Sequence, residues 1–251
     1  MNMKSLLLKK LKYIPLFLVL FIPLSQGANY VVGVEELEYL PHYTVKRGEY
    51  EGFARDLLDA FAKSKGHTFT YKPRPVARLY SEFLKKNKFD FKYPDNAYWS
   101  ADDKKGKNVQ YSNAVAKNIE GLMVLPGKKG SGIDNFKYVG TIKGFDAWGL
   151  MEQIKSGKIV MKETKTFIDL LKKVFSKRID GAYLNIDVAK YQLNKIMKKP
   201  GTLVFDDSLP NISGTYHLST RKHPSVIAEF NEFLTQEKAI VDAIKTKYNI
   251  K

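Results

Sequence analysis

From residue 30 onward, short β-branched runs alternate with amphipathic stretches, and few architectures accommodate such an alternation. Residues 30–34 (YVVGV) suit a buried strand, and 51–65 set Phe53, Leu57, Leu58, Phe61 and Ala62 on one helical face before Gly66 ends the helix. Residues 67–72 (HTFTYK) alternate as a strand does, 76–86 read as a helix with Leu79, Phe83 and Leu84 inward, and 88–93 (KFDFKY) form another strand. A chain patterned this way builds a mainly parallel sheet with helices packed on its faces, so the class is α/β.

The pattern breaks and restarts. An apolar strand at 119–125 runs into PGKKGSG, a turn-rich boundary. Strands at 137–143, 158–161 and 179–184 then alternate with helices at 146–156 and 164–176. A return strand at 214–220 precedes helices at 224–236 and 237–248. Two α/β units joined near residue 122, with a return near 215, predict two lobes linked by two crossovers. Lobe 1 takes 29–121 and 216–251, lobe 2 takes 122–215, and the hinge lies in 119–126 and 212–218. A cleft between lobes is a preferred place for a small ligand.

The N-terminus is organised differently. Lys4, Lys9, Lys10 and Lys12 precede an unbroken apolar run at 13–24, and Ser25, Gly27 and Ala28 follow it. Basic, apolar and small-residue regions in that order mark a secretory signal peptide over 1–28, cleaved near Gly27 or Ala28. The run is well short of the roughly twenty residues a spanning helix needs, and Pro15 and Pro23 interrupt it. The chain is therefore expected in the periplasm, as a monomer with no stable membrane insertion after cleavage. With no cysteine it has no disulfide framework, no thiolate nucleophile and no lipid-anchoring cysteine.

The formal charge of +16 invites a nucleic-acid reading. Cleavage would remove four of the 42 basic residues and no acid, leaving +12. The remaining lysines lie in short clusters at 85–88, 104–107, 128–129, 172–173 and 195–199, a dispersed pattern typical of a solvated face. No nucleic-acid partner is expected of an exported chain lacking a basic, aromatic-interleaved groove. Enzyme motifs are also missing. The four histidines have no metal spacing, no phosphate loop, nucleophile elbow or dinucleotide fingerprint occurs, and Gly130-Ser131-Gly132 reads as linker. No metal or cofactor is expected.

Several blocks, in order, resemble the periplasmic solute-binding proteins of the amino-acid ABC-transporter type, family 3. They are Leu40-Pro41-His42-Tyr43, Gly52-Phe53-Ala54-Arg55-Asp56-Leu57-Leu58, Pro75-Val76-Ala77-Arg78, Phe89-Asp90-Phe91, Tyr111-Ser112-Asn113, Ile179-Asp180-Gly181-Ala182 and Leu218 to Pro224. The resemblance implies a two-lobed type II periplasmic-binding fold. It also implies capture of a small polar ligand, an amino acid or related compound, for an ABC transporter permease or a sensor. A rarer use of the fold, an enzyme similar to cyclohexadienyl dehydratase, is the alternative.

Three positions depart from the pattern the resemblance implies. Where the family places an arginine that grips the ligand carboxylate, this chain has Lys105, which supplies charge without the bidentate fork. Where the family places an aspartate for the ligand's amino group, it has Asn185. The Gly-Ser/Thr turn reads Gly144-Phe145-Asp146, and an aspartate there is expected to cap the following helix and to repel an anionic group. All three weaken the case for an ordinary α-amino acid. Further candidates each have a plainer alternative. Tyr43 is a stacking platform or a surface tyrosine in a turn, and Arg78 reaches the cleft, or is a solvated helix residue or one pairing with Asp56. Asp95 and Asn96 contact ligand at a strand's carboxyl end or serve turn chemistry, and Phe145 and Trp148 contact ligand or pack.

Overall fold

A computed structural model describes residues 27–250, so the expected signal peptide lies outside the described residues apart from Gly27 and Ala28. The first apolar run becomes β1 (Asn29–Glu35), and a hairpin of β2 (Thr44–Lys46) and β3 (Glu49–Glu51), not foreseen from sequence, precedes helix α1 (Phe53–Ser64). Phe53, Ala54, Leu57, Leu58, Phe61 and Ala62 are buried on one face of α1, as its periodicity predicts. Strand β4 (Thr68–Arg74) leads into α2 (Val76–Tyr80), whose coil widens over Ser81–Lys85 instead of continuing as one regular helix. Next come β5 (Phe91–Asp95), the single turn α3 (Ala101–Lys104), β6 (Gln110–Tyr111) and the long crossover β7 (Ala116–Val124).

The second unit contains β8 (Tyr138–Ile142), α4 (Met151–Lys155), β9 (Val160–Thr164), α5 (Phe167–Phe175), β10 (Gly181–Asn185) and α6 (Ile186–Tyr191). The short β11 (Val204–Phe205), the return strand β12 (Ile212–Thr220) and helices α7 (Pro224–Gln236) and α8 (Lys238–Tyr248) complete the chain. Helix α5 starts where a cap says it should: Thr166 Oγ1 accepts from the Asp169 amide at 3.1 Å. The helix expected at 146–156 is shorter, with one tight turn at Trp148–Leu150 before α4.

Strand order is β4-β1-β5-β12-β7-β10-β8-β9, with β6 on β12 and β11 on β7. Strands β4, β1 and β5 are parallel, as are β10, β8 and β9. The two crossover strands join these groups as an antiparallel pair, Ala116–Glu120 against Ile212–Tyr216. Each then continues into a different parallel group: β7 beyond Glu120 pairs with β10, and β12 beyond Tyr216 pairs with β5. The result is two lobes, each a mainly parallel sheet flanked by helices, whose shared seam carries Glu120 and Tyr216. No helix among the described residues is long and apolar enough to cross a membrane.

Candidate functional site

A cavity of about 270 Å³, near the small end of the roughly 300–1,000 Å³ common for ligand pockets, opens beside that seam. Its walls come from both lobes. Glu35 stands at the carboxyl end of β1, Tyr39 and Tyr43 follow it, Tyr80 ends α2, and Trp99 and Asp103 flank the start of α3. The second unit supplies Gly144, Phe145, Asp146 and Trp148, while Glu120 and Tyr216 belong to the crossover strands.

The loop bearing the tyrosines is bolted to α1. The carbonyls of Pro41 and His42 accept from the amides of Phe53 and Ala54 at 3.4 and 2.9 Å, satisfying donors the helix start leaves free. Gly52 makes that approach possible, because at φ 110° a Cβ there would lie 2.8 Å from Tyr43 Cα. Tyr39 and Tyr43 stack with ring centroids 5.0 Å apart, and Tyr43 donates its hydroxyl to the Glu35 carboxylate. Across the seam the Tyr39 and Tyr216 hydroxyls lie 3.3 Å apart, and Asn185 Nδ2 donates to Tyr216 at 3.1 Å. The aromatic wall is thus a set of rings whose polar ends are tied to one another.

Three carboxylates of this wall are set apart because no cation among the described residues lies within ion-pair distance of them. Burial pushes the Glu35 carboxyl up, though the charge of Lys92 and the Tyr43 hydrogen bond oppose it. Burial, with repulsion from Glu35 and Asp146, raises Glu120 to about 7 against a hydrogen bond from Asn118. Among the described residues neither Glu35, Glu120 nor Asp146 forms an ion pair. No three such side chains converge as a metal-ligand set there either. One layer below, Asp95 shows the opposite treatment. Its fully buried carboxylate receives Lys104 at 2.8 Å, Lys92 at 3.4 Å, and Ser219 at 2.6 Å. Burial would raise its pKa, and the two lysines outweigh that and hold it low.

Of the residues expected from sequence, Tyr43, Gly144, Phe145, Asp146 and Trp148 meet in the cavity wall. Asp146 does not cap a helix, because Ala147 intervenes before the tight turn at Trp148 and neither turn has a side-chain cap. Its carboxylate faces the cavity instead. The others stand outside the lining. Arg78 is exposed and donates to Glu82 at 2.9 Å, while Asp56, its suggested partner, is held by Lys247 and Tyr248. Lys105 is exposed and paired with Asp102 at 2.7 Å, and it is Asp103 of the same turn that lines the cavity. Asp95 and Asn96 lie beneath Pro94, with Asn96 Nδ2 on the Thr215 carbonyl at 2.9 Å. Asn185 caps α6 through Oδ1, accepting from Asp187 and Val188, and supports Tyr216 rather than entering the wall.

Sequence reasoning missed Glu35, Tyr39, Tyr80, Trp99, Glu120 and Tyr216 as lining residues. Two carried a readable signal: Glu35 ends a parallel strand, where open α/β sheets bind ligands, and Glu120 is a carboxylate in an otherwise apolar crossover.

Solved structures share this fold at low sequence identity. A substrate-binding protein of an ABC uptake transporter from Streptococcus pneumoniae, with bound histidine, is 20% identical with a TM-score of 0.69, over 88% of this chain and 92% of that one. An arginine 3rd transport system periplasmic binding protein from Legionella pneumophila is 16% identical with a TM-score of 0.69, over 88% of this chain and all of its own, 100%. An ancestral amino acid-binding protein, described as a precursor of cyclohexadienyl dehydratase, is 20% identical with a TM-score of 0.67, over 88% of this chain and 94% of that one. No curated protein matches the chain in sequence. The family model for bacterial extracellular solute-binding proteins, family 3, spans residues 30–250, and with the two-lobed sheet and its interlobe cavity this places the chain in that family.

Proposed function

We propose that this chain is an exported solute-binding protein that closes its two lobes over a small polar solute, an amino acid or related compound, and presents it to an ABC transporter or sensor. The observation that carries this reading is the interlobe cavity, walled by residues of both lobes at the seam where the two crossover strands pair. In this reading lobe 1 comprises 29–121 and 216–251, lobe 2 comprises 122–215, and the hinge lies in 119–126 and 212–218. A solute touching both walls has more contacts in the closed state, and that difference in affinity drives closure. The basic, apolar and small-residue order over 1–28 supports reading this segment as a cleaved signal peptide and the protein as a periplasmic monomer.

The dehydratase alternative draws on one feature, a Glu120 carboxyl pushed up to about 7, where a general acid works well. The acidic wall counts against an anionic substrate. Thermal-shift measurements against amino acids, polyamines, sugars and small carboxylates, with calorimetry on each hit, separate the two. A binding protein shows a concentration-dependent rise in melting temperature without turnover. If no small molecule stabilises the protein and a chorismate-derived acid is consumed, the enzyme reading replaces it.

A further inference from the structure

Resting on the solute-binding reading, we propose that the solute is an organic cation with an ammonium or guanidinium group and no carboxylate, a decarboxylated amine rather than an α-amino acid.

The charges of the cavity wall point this way. Four carboxylates line it, Glu35, Asp103, Glu120 and Asp146, against one cation, Lys85. Lys85 is already 3.4 Å from Asp103 at the exposed rim. The three remaining carboxylates lack a cationic partner among the described residues, although the fold neutralises Asp95 nearby with two lysines. Glu35 is buried and Glu120 half-buried, and burial raises both carboxyls, so either one, once ionised, gains from a nearby cation beyond the charge of Lys92 that already acts on Glu35. A cation entering the cavity supplies it. Their arrangement is not that of a metal site, since no three ligand side chains converge among the described residues.

The same wall offers a carboxylate no unpaired cation, since Lys85 is held by Asp103. No arginine lines the cavity, and Lys105 pairs with Asp102 in solvent. An α-amino acid would set its carboxylate among like charges. The aromatic surround of Tyr39, Tyr43, Trp99, Phe145 and Tyr216 suits a cation equally, since ring faces attract positive charge and exclude water from it.

The test is calorimetry at pH 8 with three matched pairs: lysine and cadaverine, arginine and agmatine, histidine and histamine. Members of a pair differ by one carboxylate. At least one amine should bind tenfold or more tightly than its parent amino acid, and Glu120→Gln or Glu35→Gln should weaken that amine at least tenfold. Asp146→Asn, at an exposed position on the cavity edge, gives a threefold or greater loss and serves if the buried variants do not fold. An amino acid binding as tightly as its amine overturns the proposal and leaves the solute-binding reading standing. So does stabilisation by neutral or anionic solutes with no amine bound, or an amine whose affinity none of the three substitutions alters. Failure of every solute in the wider screen removes the solute-binding reading itself.

Discussion

Replacing Glu120 by glutamine tests the electrostatics of the cavity in the ligand-free protein. Its carboxyl is lifted from 4.5 to about 7 by burial first, then by Glu35 and Asp146, with the Asn118 hydrogen bond opposing. Tyr39 and Tyr216, the other groups facing it, remain neutral across this range because burial holds their pKa values far up. The native protein therefore keeps the Glu120 proton up to about pH 7, whereas the unfolded chain releases it near 4.5. Between those values the native state binds more protons, so stability falls as pH rises through the window. At 1.36 kcal/mol per pKa unit the loss is about 3 kcal/mol, complete above pH 7. Glu120→Gln does not titrate and escapes it. Urea denaturation from pH 4 to 8 should show the variant gaining about 3 kcal/mol on the parent, or about 6–12 °C in Tm for a chain of this size. Changes in the Asn118 contact that do not vary with pH cancel in that difference. Two profiles parallel within about 0.5 kcal/mol, near the usual error of such differences, would refute the reasoning.

Other outcomes follow from the same geometry. Asp95→Asn leaves Lys92 and Lys104 buried without their carboxylate and should cost about 3–5 kcal/mol in urea melts; a loss under about 1 kcal/mol would show that the lysines find other partners. Gly52→Ala places a methyl 2.8 Å from Tyr43 Cα at φ 110° and should destabilise by about 1–3 kcal/mol while weakening the solute whose wall Tyr43 forms. An unchanged affinity would show that the 41–43 loop is not held by this approach. Affinity for an amine should fall as pH drops below 7, by up to about 30-fold at pH 5.5, because protonated Glu120 must ionise to receive the cation. Isothermal titration at several pH values reads this directly, and a flat profile rejects Glu120 as the counter-charge.

The fold was legible because its governing pattern is local. The Phe53 to Ala62 stripe, the restart after Pro126 and the apolar strands at 30–34 and 179–184 each report burial through a period of 2 or 3.6 residues, and each became an element close to its expected limits. The site was legible only in part, because a cavity wall is a tertiary object. Asp95 has a binder's address at the end of a parallel strand, yet the lysines that claim it come from three residues earlier and from a turn nine residues later. Glu35 has the same address but no lysine among the described residues within ion-pair distance, and nothing local distinguishes the two. Arg78 fails for a related reason. Its helix buries Leu79 and Tyr80, and the i+4 carboxylate Glu82 captures the exposed guanidinium.

The basic surface and the acidic cleft work at different ranges. A chain with 42 basic and 26 acidic residues repels an approaching cation on average, but at physiological ionic strength exposed charges more than about 8 Å away are largely screened. Inside the cavity solvent is thinned by Tyr39, Tyr43, Trp99 and Tyr216, and there a unit charge 4 Å from a carboxylate gains about 4 kcal/mol at an effective dielectric of 20. The net charge thus has little say over which solute is held. Under the cation proposal that choice falls to Glu35, Glu120 and Asp146, which form no ion pair among the described residues. Asp95 lies only a layer away, so the fold has cations to spend on buried carboxylates where stability requires it. Leaving the cavity set without an ion-pair partner means that, above about pH 7 where Glu120 ionises, a bound cation would relieve the repulsion among these carboxylates.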